Sequence, residues 1–215
     1  MSASKHVVSL PKPPRFTSKD VNASEVVQRW LSSLEEVLRT QAFDRLSTDL
    51  FHADSWWRDH LALQWDLRTI RKAKDIEAFV RTHQPTAQLS TFRIQTEGKY
   101  VPHVESPENQ LDWVASMFFF ETAVGRGSGV VRLFPDEQSK QWKAYAVYTS
   151  LQELKGAEEP LGPKRAYGTL DSMPGGSKGG TWLERRKRAV QFKEEEPTVL
   201  IVGAGKLEPR IRSSI

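Results

Sequence analysis

The sequence contains no cysteine and no apolar run of about eighteen residues, the length that a membrane-spanning helix needs. Without cysteine the chain can form no disulfide and no thiolate metal site. Residues 1–14 lack the apolar stretch of a secretory signal. Of the histidines, only His52 and His60, eight residues apart, have a spacing that metal ligands could have. Two histidines alone do not indicate a metal site, and we assign no metal. By elimination we expect a cytoplasmic protein that has no membrane partner.

The charge of the chain is moderately basic, with a formal net charge of +4 and a pI of about 9.3. The basic residues are dispersed except for the cluster Arg185–Arg188, which is followed closely by the acidic run Glu194–Glu196. Adjacent runs of opposite sign are typical of a solvated helix face. We therefore expect no nucleic-acid partner.

Helical patterns dominate the first part of the chain after an extended, proline-bearing arm over residues 1–20. Asn22 and Glu25 have the spacing of a helix-capping pair. Apolar residues then recur at helical intervals, which predicts an amphipathic helix buried on one face; they are Val27, Leu31, Leu34 and Leu38. A short helix is predicted over 43–51 and another over 75–80, whereas the alternation from Leu61 to Arg68 predicts a strand.

Strand patterns dominate the region that follows. Residues 91–96, 130–134 and 142–151 are predicted strands, and Trp113–Phe120 is apolar on both faces, as a central strand would be. Gly125–Gly129 is interpreted as a flexible hairpin connection. Together these elements predict one α+β domain over residues 21–156, with helices on one face of a mainly antiparallel sheet.

The remaining chain is predicted to contain three segments: a Pro- and Gly-rich flexible linker (157–180), a basic helix (181–196) and a dinucleotide-binding fragment (197–215). In the fragment, the apolar run Thr198–Val202 leads into Gly203 and Gly205, as in the opening of a Rossmann fold. Glu208 stands where the third glycine belongs, and Pro209 would break the phosphate-binding helix. We expect this fragment to bind no dinucleotide.

A candidate ligand pocket follows from the cluster Asp54–His60 and from the aromatic residues on alternating strand positions. Its predicted lining consists of Trp57, Asp59, His60, Trp65, Phe118 and Phe120. In one interpretation a carboxylate acts as general base and is oriented by a neighbour. In the other, Asp54 caps a turn, Arg58 pairs with Asp59, and His60 faces solvent.

Several stretches together resemble the N-terminal region of fungal flavin-containing monooxygenases; they are 50–59, 118–122, 125–133, 151–156, 182–186 and 197–205. The resemblance implies a SnoaL-like, ketosteroid-isomerase-like α+β cone followed by a linker and by domains that bind FAD and NADPH. It implies that Gly203 and Gly205 are remnants of an FAD site. The resemblance ends at Lys206, where a truncated gene model, an alternative transcript or a pseudogene would each explain the junction.

The function implied by this resemblance is that of the N-terminal part of a flavin-dependent monooxygenase acting on a small organic substrate, inactive in this chain. One alternative is a stand-alone SnoaL-like domain that binds a small molecule or has isomerase- or dehydratase-type activity. Another is a non-catalytic partner of a full-length flavoprotein. A homodimer through the α+β domain is left open.

Overall fold

The computed structural model describes residues 15–16, 19–107, 111–159 and 182–191. The chain divides into two units, Met1–Glu159 and Pro160–Ile215. All the described strands and the first two helices belong to the first unit.

Helix α1 spans Ala23–Thr40 and begins as its sequence predicts. The side chain of Asn22 accepts a hydrogen bond from the backbone N–H of Glu25 at 3.3 Å, which satisfies one of the unpaired amides of the first turn. The predicted apolar face is buried. The helix ends at Gln41, whose φ of 58° is left-handed.

A π-helix at Leu46–Leu50 leads into strand β1 (Phe51–His60), and strand β2 follows at Leu67–Arg71. The predicted strand Leu61–Arg68 is wrong, because residues 61–66 form the loop between β1 and β2. We call this segment the 61–66 loop. Its alternating pattern does not mark a sheet face, since Leu63 is buried whereas Trp65 is exposed.

Helix α2 (Ala73–Ala87) extends the helix predicted over 75–80 and ends at Gln88, again in the left-handed region. The chain turns there into β3 (Ser90–Ile94), and the short strand β4 spans His103–Glu105. The buried amide of Gln84 secures the turn, since it donates to the carbonyl of Leu89 at 3.0 Å and accepts from its N–H at 3.1 Å.

Three long strands complete the domain: β5 (Trp113–Glu121), β6 (Gly125–Pro135) and β7 (Trp142–Leu154). The prediction of a flexible connection at Gly125–Gly129 is wrong, because these residues are the first part of β6 and pair with β5 on one side and β7 on the other. The hairpin connection between β5 and β6 lies at residues 122–124.

The sheet is mixed, in the order β2-β1-β7-β6-β5-β3, and β4 also pairs with β5. All the strand pairs are antiparallel except β1 with β7, which run parallel. β5 has strands on both sides, as its two apolar faces predict. Helices α1 and α2 contribute apolar side chains to the same core as the strands, and the architecture is α+β, as predicted.

In the second unit the structure describes helix α3, Trp182–Gln191, which lies within the predicted basic helix. The side chains of Leu183 and Val190 are exposed on it. The predicted strand Thr198–Val202 and the glycines Gly203 and Gly205 lie outside the described residues. Among the described helices, none is both long and apolar enough to cross a membrane.

Candidate functional site

Strand β1 divides the predicted cluster Asp54–His60 between the two faces of the sheet. Trp57 and Asp59 are buried on the face that carries the helices, whereas Arg58 is exposed on the other face. The expected pair between Arg58 and Asp59 is therefore wrong, because consecutive residues of a strand point to opposite faces. Asp54 does not cap a turn either, since it lies within β1 and binds Arg71 through both carboxylate oxygens at 2.8 Å.

On the inner face, Asp59 is the end of a chain of hydrogen bonds that joins β1 to β7. The indole Nε1 of Trp57 donates to Oγ1 of Thr149 at 2.8 Å, and this hydroxyl donates to Oδ1 of Asp59 at 2.7 Å. Oδ2 accepts the backbone N–H of Leu63 at 3.0 Å. Asp59 is 0% exposed. Burial raises the pKa of its carboxyl group, although the hydrogen bonds from Thr149 and from the 61–66 loop act in the opposite direction.

This buried carboxylate fixes the backbone of the 61–66 loop. The loop has no regular hydrogen-bonded structure of its own, and Leu61 adopts a φ of 63° at its start. Asp59 holds the loop by accepting the backbone N–H of Leu63 at 3.0 Å. The geometry thus supports a structural role for Asp59, which anchors the loop. Its side chain is not accessible to solvent in the described part of the chain.

The other predicted pocket residues lie in different surroundings. Phe118 and Phe120 are buried and form an aromatic group with Phe92, with ring centroids 6.0 to 6.1 Å apart. Trp65 is 68% exposed on the 61–66 loop. That these residues line a ligand pocket stays a prediction.

His60 is half-buried on the outer face and has a hydrogen-bond partner at each ring nitrogen. Nε of Arg58 donates to its Nε2 at 2.8 Å, and its Nδ1 lies 3.1 Å from the hydroxyl of Tyr148. Since an arginine can only donate, Nε2 must be unprotonated and the proton of the neutral ring is on Nδ1. His60 therefore donates to Tyr148.

No metal site forms in the described parts of the chain, which contain no group of three or more His, Asp or Glu side chains suited to holding an ion. His52, the second histidine of the predicted spacing, stacks on Phe134 with ring centroids 3.9 Å apart. Its Nε2 lies 3.1 Å from the carbonyl oxygen of Phe134, and burial lowers its pKa. Both histidines are thus engaged with other residues.

Sequence reasoning missed a cleft of about 530 Å³ where α1 and α2 both end. We call it the helix-end cleft. Its walls come from the last turns of both helices, the start of β3, the turn between β5 and β6, and Lys155. Gln41 and Gln88 end the two helices in left-handed conformations, and both line the cleft. Since glycine usually occupies such positions, glutamine gave no signal in the sequence.

The helix-end cleft combines an apolar base with charged side chains. Leu38 and Leu89 are 3% and 2% exposed and contribute apolar surface. Glu35 accepts the backbone N–H of Thr91 at 2.8 Å. The exposed Arg39 has no carboxylate within ion-pair distance among the described residues.

Lys155 also lines the helix-end cleft, but its side chain is bound within the domain. Its Nζ donates to the carbonyl of Thr122 at 2.8 Å and pairs with Glu121 at 3.1 Å. This ion pair lowers the pKa of Glu121. Among the described residues that line the cleft, Arg39 is therefore the cation that is available to an anionic ligand.

No family model matches the chain, and no curated protein matches it. Among solved structures, an NTF2-like protein from Cytophaga hutchinsonii is similar at 11% identity and a TM-score of 0.44, over 61% of this chain and 100% of the other. A protein with a cystatin-like fold from Caulobacter vibrioides is similar at 9% identity and a TM-score of 0.43, over 61% and 90%. The protein Aln2 from a Streptomyces species is similar at 13% identity and a TM-score of 0.43, over 59% and 89%.

Proposed function

We propose that residues 21–156 form a SnoaL-like cone that binds a small polar organic molecule in the helix-end cleft. The observation that carries this proposal is the position of Arg39, an exposed cation that lines the cleft and has no carboxylate partner among the described residues. The cleft, at about 530 Å³, also falls within the range of roughly 300–1,000 Å³ that is usual for small-molecule sites.

The chemistry of the helix-end cleft favours a small carboxylic acid that also carries hydroxyl or amine groups. The guanidinium of Arg39 can donate two parallel hydrogen bonds to a carboxylate. The last carbonyls of a helix have no partner within it. In α2 those of Gln84 and Ala87 accept the N–H groups of Gln88 and Ala123 at 2.8 Å, and the others at the two helix ends can accept from ligand donors. Leu38 and Leu89 would contact the apolar part of the molecule.

Isomerase- or dehydratase-type chemistry would require a carboxylate that reaches the ligand. Glu35 lines the helix-end cleft, and the hydrogen bond from Thr91 engages its Oε1. Asp59 is enclosed in the core and bound to the 61–66 loop. Any such activity in the helix-end cleft would therefore depend on Glu35, whereas binding depends on Arg39.

We expect a panel of small hydroxylated carboxylic acids to contain compounds that stabilise the protein. At a concentration of about 100 Kd, a ligand that binds only the folded state adds about 2.7 kcal/mol. For a chain of this size that corresponds to a Tm increase of roughly 5–10 °C. Arg39→Gln should weaken binding at least about tenfold, since the charge-assisted pair is lost. Differential scanning fluorimetry followed by calorimetric titration measures both effects.

Arg29→Gln is the matched control, because Arg29 lies on the same helix and pairs with Glu25 rather than with the cleft. Ala123→Phe tests the location sterically, since Ala123 lines the helix-end cleft. Binding that survives both Arg39→Gln and Ala123→Phe would contradict the proposal, as would a broad panel without any stabilising compound.

A second candidate function follows from the resemblance to fungal flavin-containing monooxygenases. In that case the cone is the N-terminal part of a flavin-dependent enzyme, and FAD and NADPH belong to the domains that follow the cone in that family. The sequence stretches quoted above support it, and its FAD-site residues Gly203 and Gly205 lie outside the described residues. The homodimer through the α+β domain likewise stays a prediction.

We expect the 215-residue chain to purify without colour and to release no flavin when it is heated. The reason is chemical: Glu208 would repel the phosphates and Pro209 would interrupt the helix that should bind them. Absorbance near the flavin bands and fluorescence of the heated supernatant check this. Stoichiometric flavin in the purified protein would contradict it and would require another flavin site.

A further inference from the structure

The outer face of the sheet carries a group of four polar side chains that the proposed function does not use: Arg58, His60, Thr69 and Tyr148. We call it the outer-face cluster. In the strand register, Arg58 lies opposite Thr69 of β2 on one side and opposite Tyr148 of β7 on the other. His60 is two residues along β1 and hence on the same face. The fold thus brings three strands together around one guanidinium.

Both hydrogen-bond partners of Arg58 in the outer-face cluster are neutral. Its Nε donates to Nε2 of His60 at 2.8 Å, and its Nη1 donates to Oγ1 of Thr69 at 2.5 Å. These two bonds fix the plane of the guanidinium without compensating its charge. Since arginine has five N–H donors, three of them are left by these two bonds.

The other arginines of β1 and β2 each pair with a carboxylate, unlike Arg58. Arg71 binds Asp54 through both carboxylate oxygens, and Arg68 pairs with Asp66 at 2.9 Å. Arg58 has no carboxylate within ion-pair distance in the described part of the chain. Asp59, its sequence neighbour, is buried on the opposite face.

His60 also sets the direction of the Tyr148 hydroxyl. Because Nδ1 of His60 donates to this hydroxyl at 3.1 Å, the proton of Tyr148 is available for another acceptor. The ring of Tyr148 stands edge-on to the imidazole, with centroids 5.0 Å apart. Beside the hydroxyl of Thr69, the outer-face cluster therefore presents donors: guanidinium N–H groups and one phenol O–H.

We propose that the outer-face cluster is a second ligand site, which binds an oxyanion, either a carboxylate or a phosphate group. A fixed planar guanidinium with free N–H groups is the arrangement that proteins use to bind such groups through two parallel hydrogen bonds. The site is separate from the helix-end cleft, since the two share no residue.

The test titrates the purified chain with inorganic phosphate and, separately, with acetate, at constant ionic strength. Binding is followed by Tm and by NMR chemical shifts of the backbone amides of His60 and Tyr148, which every variant retains. We expect saturable shifts with at least one of the two anions, and the arm with the lower Kd identifies the preferred group. Arg58→Gln should weaken binding at least tenfold, whereas Arg68→Gln, the matched control on β2, should leave it within twofold.

Arg58→Lys and Thr69→Val separate charge from geometry and also serve if Arg58→Gln fails to fold. Lysine keeps the charge but loses the planar fork, and valine removes the hydroxyl that fixes Nη1. Both should weaken binding severalfold. Equal shifts in wild type and Arg58→Lys, or no saturable shift with either anion, would overturn the proposal. Neither result would affect the helix-end cleft, whose ligands depend on Arg39.

Discussion

Replacing Gly129 with valine should destabilise the domain by about 3 kcal/mol, the upper end of the usual effect of overfilling a packed core. A Cβ at this position would overlap the backbone carbonyl oxygen of Tyr148 and the ring of Phe118, whose Cε1 would lie only 2.8 Å away. The carbonyl belongs to the neighbouring strand β7 and cannot move without breaking the sheet. For a chain of this size, Tm should fall by roughly 6–12 °C.

The stability of Gly129→Val distinguishes the observed strand β6 from the flexible hairpin connection that the sequence pattern predicts. In a flexible hairpin connection valine would be tolerated, and by strand propensity alone it would be favoured over glycine. Gly156→Val is the control, because a Cβ there meets nothing within 4 Å although φ is +81°. It should cost only the backbone strain, about 1–2 kcal/mol. If Gly129→Val unfolds at the same denaturant concentration as Gly156→Val, the packing of β5 against β6 is not as described.

Gly127 shows why the sequence alone misleads about this part of the sheet. The ring of Phe120 lies over it, and a Cβ there would come within 2.7 Å of the carbonyl oxygen of Ser150. Two phenylalanines on β5 thus face two glycines on β6, so that large and small residues alternate across the pair. A run of glycines is locally ambiguous, and only the pairing of β5 with β6 decides that it forms a strand.

The elements that could be predicted are those whose apolar residues recur at a regular spacing along the sequence. Helix α1 has a capping residue and an unbroken apolar face, and β5 is a long apolar run whose two edges both pair with other strands. Strand β1 could not be predicted, since its inner face carries Ser55 and Asp59, which are fully buried. The partner that allows this, Thr149, is 90 residues away from Asp59 along the chain.

The cluster Asp54–His60 and the helix-end cleft also differ in how far the sequence reveals them. The cluster Asp54–His60 stands out in the sequence because charged and aromatic residues are dense there, but the faces of β1 separate its members. Arg39 does not stand out, because in the sequence it is one more basic residue near a helix C-terminus, where such residues are common. Its position becomes informative only when the ends of α1 and α2 meet the turn between β5 and β6.

Removing the carboxylate of Asp59 should cost about 3 kcal/mol and release the 61–66 loop. In Asp59→Ala, the hydroxyl of Thr149 and the backbone N–H of Leu63 lose their acceptor while remaining buried, and each such group costs about 1–3 kcal/mol. Denaturant unfolding measures the loss of stability. Amide exchange at Leu63 should accelerate in the native state, and the fluorescence of the exposed Trp65 should report the freed loop.

Thr149→Val tests the same network from β7. Valine has the shape of threonine but leaves Nε1 of Trp57 and Oδ1 of Asp59 without the hydroxyl that joins them, so we expect a loss of about 2 kcal/mol. The double variant should be less destabilised than the sum of the two single variants, because both remove one shared hydrogen bond. Asp66→Ala is the control in the same loop, since its side chain is 56% exposed, and it should change stability by less than about 0.5 kcal/mol.

The pH dependence gives an independent check on Asp59. Burial raises the pKa of its carboxyl group in the folded state, so the folded protein holds this proton more tightly than the unfolded chain does. The resulting stabilisation is complete below the unfolded pKa, about 3.9, and is lost as the pH rises through the folded pKa. Asp59→Ala lacks this dependence. The difference in unfolding free energy between wild type and Asp59→Ala should therefore be larger near pH 4 than at pH 7. A difference that grows with pH would contradict this. It would mean that the hydrogen bonds from Thr149 and the 61–66 loop outweigh burial and lower the pKa of Asp59.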